Sequence, residues 1–305
     1  MKRVLVTGAT GFIGRNALAQ LVAKGYEVHA VSSRPSNNTS QINWHSCNLI
    51  DSKESALLLA KIRPTHLLHF AWYAEHGKFW RSLENFRWLE ASIALLRNFR
   101  EAGGQRVVMA GTCAEYAWDE GICIENTTTC RPLTPYGTCK NALQEVLRSY
   151  SNEVDLSSAW GRIFLLYGPN EHPARLLSSV ITSLLRGEKA NCTHGNQLRD
   201  FMHVEDVASA FVALLDSNVI GPVNISTGRP VSLREIVLIA ANYIGASELV
   251  AFGALSAPLG EPPILVGNNQ RLKNEVGWSE QRDTELSVKQ TVDWWKNLDK
   301  GINIK

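Results

Sequence analysis

Two apolar rhythms alternate along the first two-thirds of the chain. Short β-branched runs such as "RVLVTG" (3–8), "EVHAVSS" (27–33) and "RVVMAGT" (106–112) read as strands. Between them, "RNALAQLVAKG" (15–25) and "SLENFRWLEASIALLRNFREAGG" (82–104) carry apolar residues at helical spacing and stop at glycines. "QINWHSCNL" (41–49) reads as a third strand, "SKESALLLAKIRP" (52–64) as a helix capped by Ser52 and stopped by Pro64, and "THLLHFAW" (65–72) as a buried strand. "LSSAWGRIFLLYG" (156–168) reads as one further strand. Strand–helix alternation of this kind predicts a doubly wound parallel α/β sheet.

The rhythm loosens after Tyr167-Gly168-Pro169. A helix is predicted near 174–187, "RDFMHVEDVASAFVALLDS" (199–217) opens as a strand and becomes a helix, and "PVNIS" (222–226) is a strand. From about Gly228 helices mix with Gly/Pro-rich loops. The expected organisation is a dinucleotide-binding domain over residues 1–166 plus about 200–227. A smaller mixed α/β lobe for substrate takes 167–199 and 228–305.

Composition changes this picture little. In 305 residues, 45% hydrophobic and 20% charged content suits a globular chain with a sizeable core, and a formal charge of +2 gives no reason to expect a nucleic-acid or membrane partner. Cys47, Cys113, Cys123, Cys130, Cys139 and Cys192 form no C-x-x-C pair or zinc-like spacing with histidine, so no metal is expected. Reduced thiols fit a cytoplasmic protein. The apolar run Val4-Leu5-Val6 is too short for a signal peptide.

"TGATGFIG" (7–14) sets Gly8, Gly11 and Gly14 between the first strand and the first helix. Glycines there permit a tight turn and close approach of backbone to a pyrophosphate, and the helix N-terminus favours anions. A bare tight turn has the same glycines; the place in an alternating chain favours dinucleotide binding. At the end of the second strand the chain reads Val31-Ser32-Ser33-Arg34, without the carboxylate that would accept from a ribose 2′-OH. Arg34 and Ser33 suit a 2′-phosphate, so NADP(H) is expected over NAD(H).

With TGATGFIG, GTCAEY (111–116), PYGTCK (135–140), YGP (167–169), RDFMHVEDVA (199–208) and a late GW (277–278), the chain resembles the extended short-chain dehydrogenase/reductase family. These are nucleotide-sugar epimerases, dehydratases and reductases. The resemblance implies Thr112, Tyr136 and Lys140 as the catalytic group, with Tyr136 exchanging a proton and Lys140, one helical turn on, holding the nicotinamide ribose. An ammonium beside the phenol and the nicotinamide's positive charge are both expected to lower its pKa. Coenzyme contacts are implied at Gly8, Thr10, Gly11, Phe12, Ile13, Gly14, Ser33, Arg34, Asn48, Leu49, Phe70, Ala71 and Trp72, besides Tyr136 and Lys140. Arg199 is implied to grip the substrate's diphosphate, with a salt bridge to a neighbour such as Asp200 as its structural alternative. Cys113 is implied to border the substrate. The aromatic stretch 72–88 offers Trp72, Tyr73 and Trp80 as an apolar wall, or as ordinary packing.

Four departures narrow the expectation. Dehydratases of this family carry Asp-Glu after the catalytic threonine; here Cys113 and Ala114 stand there, and Glu115 would need a shifted loop. Leu165 stands where epimerases usually have asparagine. "APLGEPP" (257–263) lacks a second phosphate-binding arginine. The family's helix asparagine falls on Trp88, with Asn85 one turn earlier. The leading expectation is an NADP(H)-dependent 4-keto-6-deoxy sugar reductase serving deoxysugar or lipopolysaccharide synthesis. A nucleotide-sugar epimerase comes next, then a 4,6-dehydratase, and last a non-catalytic dinucleotide-binding scaffold. The resemblance also implies a homodimer through the helices carrying Tyr136 and residues 82–102.

Overall fold

The computed structural model describes residues 2–33 and 39–299. Seven strands form one parallel sheet: β1 (Arg3–Thr7), β2 (Glu27–Ser32), β3 (Ile42–Ser46), β4 (His66–His69), β5 (Arg106–Thr112), β6 (Ser157–Ile163) and β7 (Gly221–Ile225), in spatial order β7-β6-β5-β4-β1-β2-β3. The order reverses beside β1, the crevice where α/β sheets of this type take ligands. Helices cover both faces. One face packs α1 (Gly14–Ala23) and α6 (Val204–Asp216) through Leu18, Leu21, Phe211 and Leu214; the other packs α2 (Ser52–Ile62), α3 (Glu84–Glu101) and α4 (Pro135–Glu153) through Leu59, Leu95, Phe99, Leu143 and Leu147. The fold is the α/β, Rossmann-type architecture that the alternation predicts.

Two local readings change. Asp51, not Ser52, caps α2; its carboxylate accepts from the Lys53 and Glu54 amides at 2.8 and 3.3 Å, and Ser52 is the first helical residue. The run 156–168 is not one strand. It breaks at Phe164, and Leu165–Tyr167 leaves the large sheet to pair with Phe201–His203. The helix expected near 174–187 is α5, Leu176–Leu185.

The remaining chain builds smaller sheets. Val231–Ser232, Leu198–Arg199, Ile264–Gly267 and Ile122–Cys123 lie side by side, and Ala190–Cys192 pairs with Val250–Phe252. Helices α5, α7 (Leu233–Ile244) and α8 (Thr284–Asp299) pack through Ile181, Ile236, Val288 and Val292. Asp200 ties this region to the large sheet. Its fully buried carboxylate accepts from the Thr227 amide (2.7 Å) and hydroxyl (2.8 Å) and from the Gly228 amide (2.9 Å). Among the described residues no helix is long and apolar enough to cross a membrane.

Removing the Asp200 carboxylate orphans several buried donors at once. Asp200→Ala is expected to cost at least about 1–3 kcal/mol in urea unfolding. Breaking the exposed Arg131–Asp119 pair with Asp119→Asn is expected to cost less than about 1 kcal/mol. Equal losses would show that Asp200 holds nothing the exposed pair does not.

Candidate active site

Site residues converge at the carboxyl ends of β1, β4 and β5. Gly8 adopts φ +64°, and a Cβ there would lie 2.7 Å from the Ala71 amide nitrogen. A Cβ on Gly14 would lie 2.2 Å from the Gly8 carbonyl oxygen. Only glycine allows this turn to sit so close to Phe70-Ala71 and to the start of α1. No side chain caps α1 and no acid stands in its first turn, so its N-terminus is left open to an anion. The cradle fits a dinucleotide pyrophosphate. Thr10 and Gly11 are exposed on it, and Phe12 and Ile13 are half-buried.

The β4 side of the cradle is held by a hydrogen-bond chain. Ser92 Oγ donates to the Trp88 carbonyl (2.7 Å), so it accepts from His69 Nε2 (3.0 Å); His69 Nδ1 then accepts from the Thr7 hydroxyl (2.7 Å), which itself accepts from the Ala71 amide (3.3 Å). Every donor in this chain has one direction. His69 is buried, and burial together with Lys140 lowers its pKa to about 3, so the ring stays neutral.

Asn48 turns on itself, its side chain accepting from the Ile50 amide at 3.2 Å, and Leu49 is buried beside it just past β3. Ser33 is exposed at the end of β2, and Arg34 lies outside the described residues.

Thr112 ends β5 and caps a short 3₁₀ turn over Cys113–Glu115. Its hydroxyl accepts from the Ala114 amide (3.2 Å), while Glu115 accepts from the Thr112 amide (2.8 Å). Glu115 is fully buried and points into the core. It takes Trp160 Nε1 at 3.0 Å and Arg162 Nε at 2.7 Å. Arg162 also donates to the Glu125 carbonyl and to Cys130 Sγ, and lies 4.4 Å from the Tyr116 ring centroid. The carboxylate after Thr112 is therefore a structural anchor, and no loop shift brings it toward substrate without stranding Arg162.

Tyr136 and Lys140 stand on the first turns of α4, which Thr134 caps by accepting from the Gly137 amide (3.2 Å). The expected lowering of the phenol by Lys140 is not what the structure holds. Burial pushes Tyr136 well above its usual pKa, with the Thr112 hydroxyl and, more weakly, Arg175 pulling the other way. Lys140 points elsewhere: it donates to the Ala110 carbonyl (2.8 Å) and sits 3.8 Å from the Trp72 ring centroid. Burial lowers its own pKa to about 7. Two groups expected to couple directly are each governed first by desolvation.

The aromatic wall also divides. Phe79 and Trp80 meet the Tyr136 ring edge-on at 4.9 and 5.5 Å, whereas Trp72 turns inward and donates to Asn85 Oδ1 at 2.8 Å. Tyr73 is half-buried and donates to Glu75. Cys113 is buried, its thiol pushed up by burial. Arg199 is buried and pairs not with Asp200 but with Glu261 at 2.8 Å, from the very segment without a second arginine. Leu165 packs in the lobe core. Phe79 lies in the aromatic stretch already singled out but was not named with Trp80, and Arg175, which acts on Tyr136 by its charge, had no signal in the sequence. His76 and His172 stack across the same mouth, ring centroids 4.6 Å apart.

Residues 4–226 match the NAD dependent epimerase/dehydratase family, and the chain belongs to it. It is an enzyme of the extended short-chain dehydrogenase/reductase type. A UDP-glucose 4-epimerase of Rhizobium leguminosarum bv. trifolii is 25% identical, aligned over 95% of this chain and 96% of its own length. A dTDP-6-deoxy-L-talose 4-dehydrogenase (NAD(+)) of Aggregatibacter actinomycetemcomitans is 27% identical over 77% of this chain and 87% of its own. The crystal structure of a Thermus thermophilus UDP-glucose 4-epimerase in complex with NAD superposes with a TM-score of 0.84 at 25% identity, covering 96% of this chain and 99% of that one.

Two measurements follow from this geometry. Glu115→Gln leaves Arg162 buried without its counter-charge and is expected to cost about 3–5 kcal/mol in urea, whereas Glu115→Met with Arg162→Met recovers much of that loss. A loss below about 1 kcal/mol for the single variant would remove Glu115 from the role of anchor. For Lys140, the folded value near 7 lies below the ordinary 10.5. The folded state thus binds fewer protons than the unfolded chain between those values, and wild-type stability rises with pH across that window. Relative to wild type, Lys140→Met should therefore be most favourable at about pH 6, its advantage shrinking by about pH 9. A pH-independent difference would mean that Lys140 titrates as in water.

Proposed function

We propose that this enzyme is an NADP(H)-dependent oxidoreductase acting on a nucleotide-linked sugar. Its reaction is reduction of a 4-keto-6-deoxy sugar, in the supply of a deoxysugar for a surface polysaccharide such as lipopolysaccharide, or for a glycosylated metabolite. The observation that carries this reading is the Thr112 hydroxyl against the Tyr136 phenol, with Lys140 one helical turn on, while Glu115 is committed to the core and Cys113 and Ala114 offer no carboxylate for elimination. The name of the Aggregatibacter relative, a 4-dehydrogenase of a 6-deoxy sugar nucleotide, supports the same class of carbonyl–alcohol chemistry.

The bound dinucleotide supplies the hydride. Tyr136 delivers the proton to the sugar oxygen, Thr112 holds that oxygen by a hydrogen bond, and Lys140, when charged, favours the phenolate left behind. Ser33-Arg34 supports NADP(H), and the NAD named for the relatives keeps NAD(H) as the alternative. Arg199 takes the diphosphate by exchanging Glu261 for phosphate, its fork of donors suiting either oxyanion. Trp80 and Tyr73 border the sugar. The coenzyme half comprises residues 1–166 with about 200–227, and the substrate lobe 167–199 and 228–305. Leu83, Phe86 and Ile93 expose apolar surface on and beside α3, and Leu133 does so just before α4, which supports a homodimer through these helices.

A second reading is favoured by the Rhizobium and Thermus relatives, both named as epimerases: oxidation and re-reduction of the same carbon with a retained coenzyme. The coenzyme's fate separates the two. With a panel of 4-keto-6-deoxy nucleotide sugars and stoichiometric NADPH, the lead reading expects one-for-one loss of reduced-nicotinamide absorbance with a reduced sugar product. It also expects Tyr136→Phe to slow that turnover by about 10²–10⁴-fold. Interconversion of two non-keto sugars with no net oxidation, by protein that retains its coenzyme, would establish the epimerase instead.

A further inference from the structure

Lys140 is only 3% exposed, yet it must be charged to act on a phenol. Burial alone favours the neutral amine. Among the described residues two groups touch the ammonium: the Ala110 carbonyl at 2.8 Å and the face of Trp72, 3.8 Å from the ring centroid; the Trp160 ring stands further off at 6.0 Å, and the neutral His69 ring also feels its charge. The acid that acts on Lys140 from a distance is Glu115, already bonded to Arg162 and Trp160. The aromatic face thus takes the place that a counter-ion would otherwise fill.

Trp72 is not free to leave. Its indole N–H donates to Asn85 Oδ1 at 2.8 Å, and Asn85 is fully buried. Both donors of the Asn85 amide are spent on loop carbonyls, Phe79 at 2.7 Å and Ser82 at 2.8 Å, so the oxygen must face the indole. Swinging Trp72 outward would strand that oxygen in the core. Phe79 also packs edge-on against Tyr136. One loop, clamped by Asn85, therefore bears on both members of the Tyr136–Lys140 pair.

We propose that Trp72, locked in place by Asn85, is a positioning residue for Lys140: its ring face keeps the buried ammonium charged and held against the Ala110 carbonyl. This rests on the reading of Lys140 as part of the catalytic group. Trp72 acts through Lys140 and sets the pH range over which the lysine is a cation. The low pKa of Lys140, about 7, places that range where a change in the ring would be felt near neutrality.

The test measures Lys140 itself. Competitive labelling of amines across pH, read at the Lys140 peptide by mass spectrometry, gives its midpoint in the folded protein. In Trp72→Leu the midpoint should fall by about one unit, and in Trp72→Phe, which keeps a weaker ring face, by about half as much. Coenzyme affinity, titrated with NADPH and NADH as probes, should fall about tenfold in Trp72→Leu at about pH 8, yet differ by less than about twofold at about pH 5, where the lysine is charged in both proteins. Circular dichroism checks that each variant is folded. If Trp72→Leu does not fold, Trp72→Phe decides by its own midpoint. An unmoved midpoint in folded variants would overturn the proposal, as would an affinity loss equal at both pH values, since either marks Trp72 as packing alone. Absence of coenzyme binding in the wild type would instead defeat the functional reading, and the Lys140 midpoint would still judge this one.

Discussion

The buried ion pair between Glu115 and Arg162 is the constraint on which the carboxyl end of β5 depends. Removing two charges from water costs several kcal/mol per ion, and their attraction repays this only when the remaining donors and acceptors are met. Here they are: Glu115 accepts from Arg162, from Trp160 and from the Thr112 amide, and Arg162 spends its other nitrogens on the Glu125 carbonyl and Cys130 Sγ. The network continues outward, with Tyr116 donating to Asn224 and the Asn224 amide donating to Glu125. Thr112 is consequently fixed between β5 and β6 by groups that cannot relax separately. Even Gly111 belongs to the arrangement, since a Cβ there would lie 2.0 Å from Trp160 Nε1.

That network also explains what can be done at the site. A carboxylate two or three residues past a catalytic threonine suggests acid–base chemistry when read along the chain. In space it is structural, and the groups that meet at this end of the sheet are the Tyr136 phenol and the Thr112 hydroxyl, with the Lys140 amine one helical turn on. Both titratable members of this set are displaced toward their neutral forms by burial, the phenol upward and the amine down to about 7. Charges brought by a coenzyme and substrate act on a set poised in this way far more strongly than they would in water.

Much of this was legible in the sequence, for physical reasons that also mark the limits. The alternation of periods 2 and 3.6 reports burial on two sheet faces, so β1, β2, β5, α1 and α3 could be read directly. The glycine spacing reports a tight turn, whose demand on Gly14 is local while that on Gly8 comes from Phe70-Ala71. The strand break at Phe164 was hidden because both pieces are apolar, and only pairing with Phe201–His203 separates them. Asp51 and Ser52 are both good caps, and their sequence does not say which side chain reaches the amides. The roles of Glu115, Arg199 and Trp72 were left open because their partners, Arg162, Glu261 and Asn85, are brought to them by tertiary structure. Long-range partners leave no periodic trace.

The close approach at Gly8 has a meaning for how this protein can be altered. A side-chain carbon at that position would collide with the backbone of Phe70-Ala71, sixty-odd residues away in sequence. The glycine loop and the end of β4 are two halves of one mould. An exchange of residues 7–14 for the corresponding stretch of another enzyme, made to change coenzyme choice, carries half of a fitted surface into the other half's old shape. Modularity in this chain follows contact rather than sequence, and the smallest transplantable unit spans two strands.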